Sequence, residues 1–225
     1  MRFRFMMIIF LTYDGEQSKN KKSRGGRRTS ATHQASCGIW FGNAVGTVML
    51  TIIMETRDNE AELAQTLTAL VAGAVEGLVS DVIILDHGSS DGSPHVADAA
   101  GCRFCVEWDL GDIVRSARGD WLMFLEPGAR PTGRWVDELL EYVSTSKDPA
   151  RFSPSRIHKR PLLKRLSRRA PLEAGFLMRK RDAVAVARGN MRLSDIANGR
   201  AVRKLATELV PAWVTIGNRP ATERA

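Results

Sequence analysis

Short apolar runs alternate with amphipathic segments between residues 50 and 145. Each run has five or six residues, a typical strand length, and the intervening segments repeat their apolar side chains at helical spacing. The predicted strands are residues 50–54, 81–85, 102–107 and 121–125, and the predicted helices are residues 61–71, 93–100, 113–117 and 131–143. This alternation predicts an α/β fold with a mainly parallel sheet and helices on both faces.

The pattern weakens after residue 150, where residues 151–170 predict a basic loop with a short leucine-bearing helix at 162–168. The later predictions are a strand at 175–178, helices near 181–187 and 200–209, and a short strand at 213–216. Residues 17–36 are polar and nearly free of apolar side chains, which predicts disorder. The expected organisation is a basic disordered tail at 1–47, one domain at 48–216 and a C-terminal tail at 217–225.

Charge is distributed unevenly along the 225 residues. The net charge is +6 for residues 1–47, −11 for residues 48–150 and +13 for residues 151–225. Such asymmetry indicates that the basic ends meet a polyanion, and an anionic membrane surface facing residues 151–170 is one candidate. No recognised nucleic-acid-binding module accompanies the basic ends, so a nucleic-acid partner is not expected.

Cysteine usage and hydropathy bear on the compartment. Three cysteines, Cys37, Cys102 and Cys105, cannot build a disulfide framework and indicate a reducing compartment. Cys102 and Cys105 form a CxxC within a predicted strand, where positions three apart face opposite sides, so we expect two small core residues instead of a metal site. No stretch approaches the roughly 20 apolar residues of a membrane span, and the start lacks a signal-peptide cleavage pattern. These features predict a cytoplasmic protein.

Two predicted strands end on a carboxylate followed by a turn. The first is VIILDHGSSDGS at residues 82–93, which delivers Asp86, and the second is GDWLMFLEPGARP at residues 119–131, which delivers Glu126. Parallel strands present their carboxyl ends at one edge of the sheet, so both carboxylates are expected there. A carboxylate at that edge could accept hydrogen bonds from a nucleobase or ribose, hold a divalent cation, or act as a base.

These segments, together with ETRDNEAEL after the first strand, resemble the motifs of family 2 glycosyltransferases, which have the GT-A fold with a Rossmann-like nucleotide-binding half. The resemblance covers residues 49–145. It implies nucleotide contacts, a metal-side carboxylate and a catalytic base. The positions that match these roles are Thr56, Arg57, Asp86, His87 and Asp91 for the nucleotide, Glu126 for the metal and Asp195 for catalysis.

The family's reaction would be transfer of a sugar from a nucleotide diphosphate donor to an acceptor, with inversion at the anomeric carbon. The acceptor is not identified by the sequence. A base would deprotonate the acceptor hydroxyl, while Mg²⁺ or Mn²⁺ or basic side chains stabilise the leaving diphosphate. Residues 161–169, PLLKRLSRR, read as an amphipathic element that suits a lipid-linked acceptor and a peripheral position on the inner face of the membrane.

Three positions depart from the family pattern. Arg57 replaces a tyrosine, His87 replaces the second of two paired aspartates, and Glu126-Pro127-Gly128 stands where the metal-binding D-x-D is expected. A metal would therefore be weakly bound or dispensable, with basic side chains compensating; the nearest are Arg151, Arg156, Lys159 and Arg160. The departures leave two alternatives: a catalytically degenerate GT-A module that binds a nucleotide or a partner, and a basic membrane-associated adaptor.

Overall fold

A computed structural model describes residues 49–158 and 169–217. The strands are β1 (Leu50–Thr56), β2 (Val79–Asp86), β3 (Arg103–Cys105), β4 (Trp121–Leu125), β5 (Arg130–Pro131), β6 (Ala150–Pro154), β7 (Phe176–Arg179) and β8 (Arg203–Val210). The helices are α1 (Glu60–Val75), α2 (Ser93–Ala99), α3 (Leu110–Ser116), α4 (Trp135–Thr145), α5 (Lys180–Val186), α6 (Leu193–Ala197) and α7 (Ala212–Gly217).

All eight strands belong to one sheet with the order β3-β2-β1-β4-β7-β6-β8-β5. The first four strands in this order are parallel, so their carboxyl ends share an edge. Strand β7 pairs antiparallel to β4, and the remaining strands form a mixed region in which β8 is parallel to β6 and antiparallel to β5. The sheet is therefore regular in its first half and irregular in its second.

Every β1 residue from Leu50 to Met54 is buried, and successive side chains of a strand point to opposite sides. Both faces of the sheet are therefore covered by helices. Ile52 and Met54 pack in a core with α1 and α4. Ile53 packs in a second core with α3, α5 and α6. The predicted α/β architecture is confirmed. Within the described residues, no helix is long and apolar enough to cross a membrane.

The two cysteines of the CxxC face opposite sides of the sheet, as expected for a strand. Cys102 packs against the core that contains Ile52, whereas Cys105 packs against the core that contains Ile53. Burial, aided by the charge of Asp81, raises the pKa of the Cys102 thiol to about 12, and burial also raises the pKa of Cys105. Both thiols are therefore partly buried and protonated at neutral pH.

Several predictions for the second half are wrong. Residues 200–209 were expected to be helical but contain strand β8, and residues 213–216 were expected to be a strand but lie in helix α7. Pro131 begins no helix; it lies in β5 at the sheet edge, where a missing N–H is tolerated, and the helix begins at Trp135. The segment 151–170, which was expected to be a basic loop, starts instead within strand β6, whose Phe152 is buried.

Some sequence predictions fall outside the described residues. These are the tail at 1–47 with Cys37, the helix at 162–168, most of the amphipathic element at 161–169, Lys159, Arg160, and all but the first residue of the tail at 217–225.

Candidate functional site

The carboxyl edge of the parallel strands brings the predicted site residues together. Thr56 and Asp86 are register partners at the ends of β1 and β2. On the other side of β1, Met54 pairs with Leu125, so Glu55 and Glu126 follow the last registered pair of β1 and β4. The expectation that Asp86 and Glu126 lie at one sheet edge is therefore met, with β1 between them.

Asp86 is buried and its carboxylate holds its own turn. Oδ2 accepts hydrogen bonds from the backbone N–H groups of Gly88 (3.0 Å) and Ser89 (2.9 Å), while Oδ1 accepts from the Ser89 hydroxyl. Gly88 has a φ of 87°, which lets the chain reverse directly after the strand. The carboxylate thus shapes the turn through three hydrogen bonds, and a ligand would meet it as an already ordered group.

The β1–α1 and β2–α2 loops are joined by side-chain hydrogen bonds. Asp58, in the left-handed region with a φ of 51°, accepts from the Ser90 backbone N–H at 2.7 Å. Asp91 accepts from the Glu60 N–H at 2.9 Å and from the Ser93 N–H at 3.0 Å, so it caps the starts of α1 and α2 together. Two loops about 30 residues apart in sequence are therefore joined by hydrogen bonds into one rim.

Glu55 connects this rim to the second half of the chain. Its Oε2 lies 3.1 Å from His87 Nε2, and its Oε1 accepts a 2.7 Å hydrogen bond from the Leu193 backbone N–H at the start of α6. The indole of Trp108 meets the His87 ring edge-on at 5.3 Å between centroids and donates to the Asp86 carbonyl at 3.3 Å. One carboxylate thus orients the imidazole and anchors a helix.

Glu126 lies in a very different environment. Burial is the main cause that raises its pKa, and the charge of Glu173 raises it further. The turn after it is held by hydrogen bonds to two helices. The Gly128 N–H lies 2.7 Å from Thr66 Oγ1 and 3.1 Å from the Glu62 carbonyl, and the Thr215 hydroxyl donates to the Gly128 carbonyl. Helices α1 and α7 therefore hold the turn that follows Glu126.

This donor set does not match a dedicated divalent-cation site. Pro127 and Gly128 supply no side-chain oxygen beside Glu126, and charging Glu126 is already opposed by burial and by Glu173. Within residues 49–158 and 169–217, no group of three or more His, Cys, Asp or Glu side chains could hold a metal ion.

Most of the remaining predicted residues have hydrogen-bond or ion-pair partners within the protein. Asp195 is exposed and accepts from the Arg192 backbone N–H at 2.9 Å, as part of the capping of α6. Arg151 donates to the Ala197 carbonyl at 2.6 Å, and Arg156 pairs with Glu208 at 3.1 Å. In contrast, the Arg57 side chain is exposed.

Thr56 is buried, and its hydroxyl has no hydrogen-bond partner in the described part of the chain. Its backbone carbonyl, by comparison, accepts a 2.9 Å hydrogen bond from the His87 N–H. Buried hydroxyls without a partner are uncommon in folded proteins, so this one marks the end of β1 as a place with unused hydrogen-bonding capacity.

Sequence reasoning missed Glu55, Trp108 and Leu193. Glu55 could have been found, because it interrupts an otherwise uncharged strand one residue before the predicted site. Trp108 and Leu193 gave no such indication, since they reach the site only through the packing of α3 and α6 on the sheet.

Comparison with solved structures identifies the fold. The chain matches glucosyl-3-phosphoglycerate synthase from Mycobacterium tuberculosis, crystallised with Mg²⁺ and UDP, with a TM-score of 0.53 and 19% identity over 80% of this chain and 75% of that chain. The fold is of the GT-A type. At this identity, the likeness establishes the fold alone.

Two other matches are more partial. The same enzyme with Mn²⁺, UDP and glucosyl-3-phosphoglycerate gives a TM-score of 0.45 and 20% identity over 61% of this chain and 58% of that chain. Mannosyl-3-phosphoglycerate synthase from Rubrobacter xylanophilus gives a TM-score of 0.46 and 16% identity over 60% of this chain and 54% of that chain. This chain thus spans less than two thirds of the length of these structures. No protein-family model and no curated protein sequence matches the chain.

Proposed function

We propose that this protein is a glycosyltransferase that transfers a sugar from a nucleotide diphosphate donor to an acceptor hydroxyl, with inversion. The observation that carries the proposal is the convergence of Thr56, Asp86, His87 and Glu126 at the carboxyl edge of a GT-A sheet. Ligands of open α/β sheets bind at such an edge. Glucosyl-3-phosphoglycerate synthase from Mycobacterium tuberculosis, which has this fold, was crystallised with Mg²⁺ and UDP.

In this proposal, the nucleoside lies at the ends of β1 and β2, where Thr56 offers its hydroxyl and Asp86 and Asp91 order the surrounding turn. Glu126 faces the diphosphate side, at the end of β4. Asp195 is the proposed base that deprotonates the acceptor hydroxyl, since α6 begins beside Glu55 at the same edge. The catalytic domain would span residues 48–216, with tails on either side.

A nucleotide-binding module without transfer activity is the second candidate function. It is favoured by the single carboxylate of Glu126-Pro127-Gly128 and by the commitment of Asp195 to the capping of α6. The two functions share a nucleotide site and differ only in turnover, so binding and hydrolysis must be measured separately. A cytoplasmic position, peripheral to the inner membrane face through residues 151–170, belongs to the proposal in either form; residues 159–168 of that segment lie outside the described chain.

Thr56→Val tests the nucleotide site with little structural perturbation. Valine has the shape of threonine and removes a buried hydroxyl that has no partner in the described residues, so stability should stay equal or rise. If the hydroxyl binds the nucleotide, affinity for UDP should fall about 10-fold by calorimetry. Thr68→Val is the matched control, because that exposed hydroxyl bonds only the Ala64 carbonyl within its own helix.

Thermal-shift titration with UDP-, GDP-, ADP- and TDP-sugars decides the broader question. We expect at least one to raise the melting temperature and to be hydrolysed slowly in the absence of an acceptor. Binding without hydrolysis would favour the second candidate. If no nucleotide and no nucleotide sugar binds, with Mg²⁺, with Mn²⁺ or with EDTA, both candidates are wrong.

A further inference from the structure

Two arginines from distant parts of the chain approach Glu55. Arg57 follows it by two residues, so their Cα atoms are at most about 7 Å apart. Arg192 immediately precedes Leu193, whose N–H donates to Glu55 at 2.7 Å, so the Arg192 Cα lies within about 5 Å of that carboxylate oxygen. The fold thus brings one arginine from the β1–α1 loop and one from the start of α6 to the same part of the sheet edge.

Both guanidinium groups are uncommitted. Arg57 and Arg192 are exposed, and neither side chain forms an ion pair with a carboxylate in the described part of the chain. Their structural hydrogen bonds use backbone N–H groups, from Arg57 to the Asn59 side chain and from Arg192 to the Asp195 side chain. Four other arginines of the second half donate to carbonyls or pair with glutamate: Arg151, Arg156, Arg188 and Arg200.

The Glu55 carboxylate forms no ion pair with either arginine in the described residues. Glu55 already directs one oxygen at His87 and the other at the Leu193 N–H. A guanidinium presents a planar set of donors that matches two phosphate oxygens, so two arginines suit a diphosphate. At the opposite end of the proposed donor site, Glu126 has no second carboxylate within its own turn, because Pro127 and Gly128 follow it.

We propose that Arg57 and Arg192 clamp the diphosphate of the donor and replace the divalent cation that the fold's relatives bind. This inference rests on the proposed function. In the transfer step, the bond between the anomeric carbon and the diphosphate oxygen breaks, and its electron pair stays on that oxygen. The acceptor oxygen bonds the same carbon from the opposite face and gives its proton to the base. The two guanidinium groups stabilise the charge that develops on the departing diphosphate.

Calorimetry with UDP and with uridine, in buffer containing EDTA, tests the clamp on the full chain. Uridine lacks the diphosphate and reports on the nucleoside site alone. The test variant is Arg57→Gln/Arg192→Gln, which keeps both backbone hydrogen bonds. The control is Arg134→Gln/Arg181→Gln, which removes the same charge from two exposed arginines that pair with neighbouring aspartates, Asp137 and Asp182.

Wild type should bind UDP in EDTA, and the test variant should bind it at least about 100-fold more weakly, because two charge-assisted contacts are lost. Uridine binding should be unchanged in both variants, and UDP binding to the control should stay within about threefold of wild type.

Other outcomes separate the inference from the proposed function. UDP binding that appears only with Mg²⁺ or Mn²⁺ and disappears in Glu126→Gln would overturn the clamp and leave the glycosyltransferase proposal standing. Equal UDP affinity of the test variant and wild type in EDTA would also overturn the clamp. Failure of wild type to bind any nucleotide under every condition would overturn the proposed function and the clamp with it.

Discussion

The turns after β2 and β4 occupy the same sheet edge but use their carboxylates in opposite ways. Asp86 accepts three hydrogen bonds from its own turn. Glu126 is held at its position by backbone contacts of the following residues, while burial and Glu173 oppose its charged form. The Asp86 carboxylate stabilises its own loop, whereas the ionised form of Glu126 is disfavoured by its surroundings.

This difference separates two roles that the sequence presents alike. A carboxylate that orders a turn is explained by folding alone, whereas a carboxylate with a raised pKa at the carboxyl edge of the sheet is of the kind found at functional sites. We therefore propose Glu126 as the stronger candidate for direct contact with substrate, and we expect Asp86 to act first through the shape of the rim. The following variants test this distinction, from the largest expected effect to the smallest.

Gly128→Ala should be the most damaging change. Gly128 has a φ of 95°, and a Cβ there would meet Glu62 Cγ at 3.2 Å and the Ala212 carbonyl at 3.3 Å. We expect a loss of about 3 kcal/mol in the free energy of unfolding, measured with urea.

Gly88→Ala is the matched control in the other turn. Its φ is 87°, but a Cβ there would have no atom within 4 Å, so only the backbone cost of about 1 kcal/mol is expected. Equal losses of unfolding free energy in the two variants would show that the packing of α1 and α7 around Gly128 does not constrain the β4 turn.

Asp86→Ala should cost about 2 kcal/mol, because two backbone N–H groups and the Ser89 hydroxyl lose their acceptor at a half-buried turn. Nucleotide affinity should fall as well. Asp86→Asn retains an acceptor oxygen and should recover part of both properties. A variant with full stability and no nucleotide binding would show that Asp86 acts on the ligand directly and not through the turn.

Glu126→Gln should change the pH dependence of stability. The pKa of Glu126 is raised in the folded state, so the folded chain holds that proton more tightly than the unfolded chain does. Stability should therefore fall as pH rises from the ordinary carboxyl pKa through the raised value, and stay lower at neutral pH.

The glutamine variant should lack this decrease and be more stable than wild type at pH 7, as followed by thermal unfolding across pH 4–8. Glu173→Gln should remove only part of the decrease, because the charge of Glu173 is the smaller cause. Identical pH profiles for Glu126→Gln and wild type would mean that Glu126 is not strained in the folded state.

Asp195→Ala extends the comparison to a third carboxylate. Its exposed side chain caps the first turn of a five-residue helix, so the expected loss of stability is only about 0.5 kcal/mol. A much larger loss of donor hydrolysis than of stability would support the proposed catalytic role. A proportionate loss of both would restrict Asp195 to capping.

The first half of the fold could be predicted because its strands pair locally in a parallel βαβ pattern. Strand β4 has the predicted bounds, and β1 and β2 extend only one or two residues beyond their predicted ends. Glu55 and Thr56 lie in that extension of β1, and of the two only Thr56 was included in the candidate site. The second half failed where one spacing fits two structures. Leu205 and Leu209 are four apart, which places them on one face of either a helix or a strand.

The sequence by itself determined the α/β class, the carboxyl edge that holds Asp86 and Glu126, and the packing of Cys102 and Cys105 against opposite faces of the sheet, because each follows from local periodicity and strand direction. Only the tertiary structure decided how those groups are used. Asp86 is directed into its turn, Glu55 joins His87 to α6, and the start of α6 brings the Arg192 Cα to within about 5 Å of the Glu55 carboxylate. These contacts connect residues as many as 138 positions apart, and spacing along the chain carries no information about such pairings.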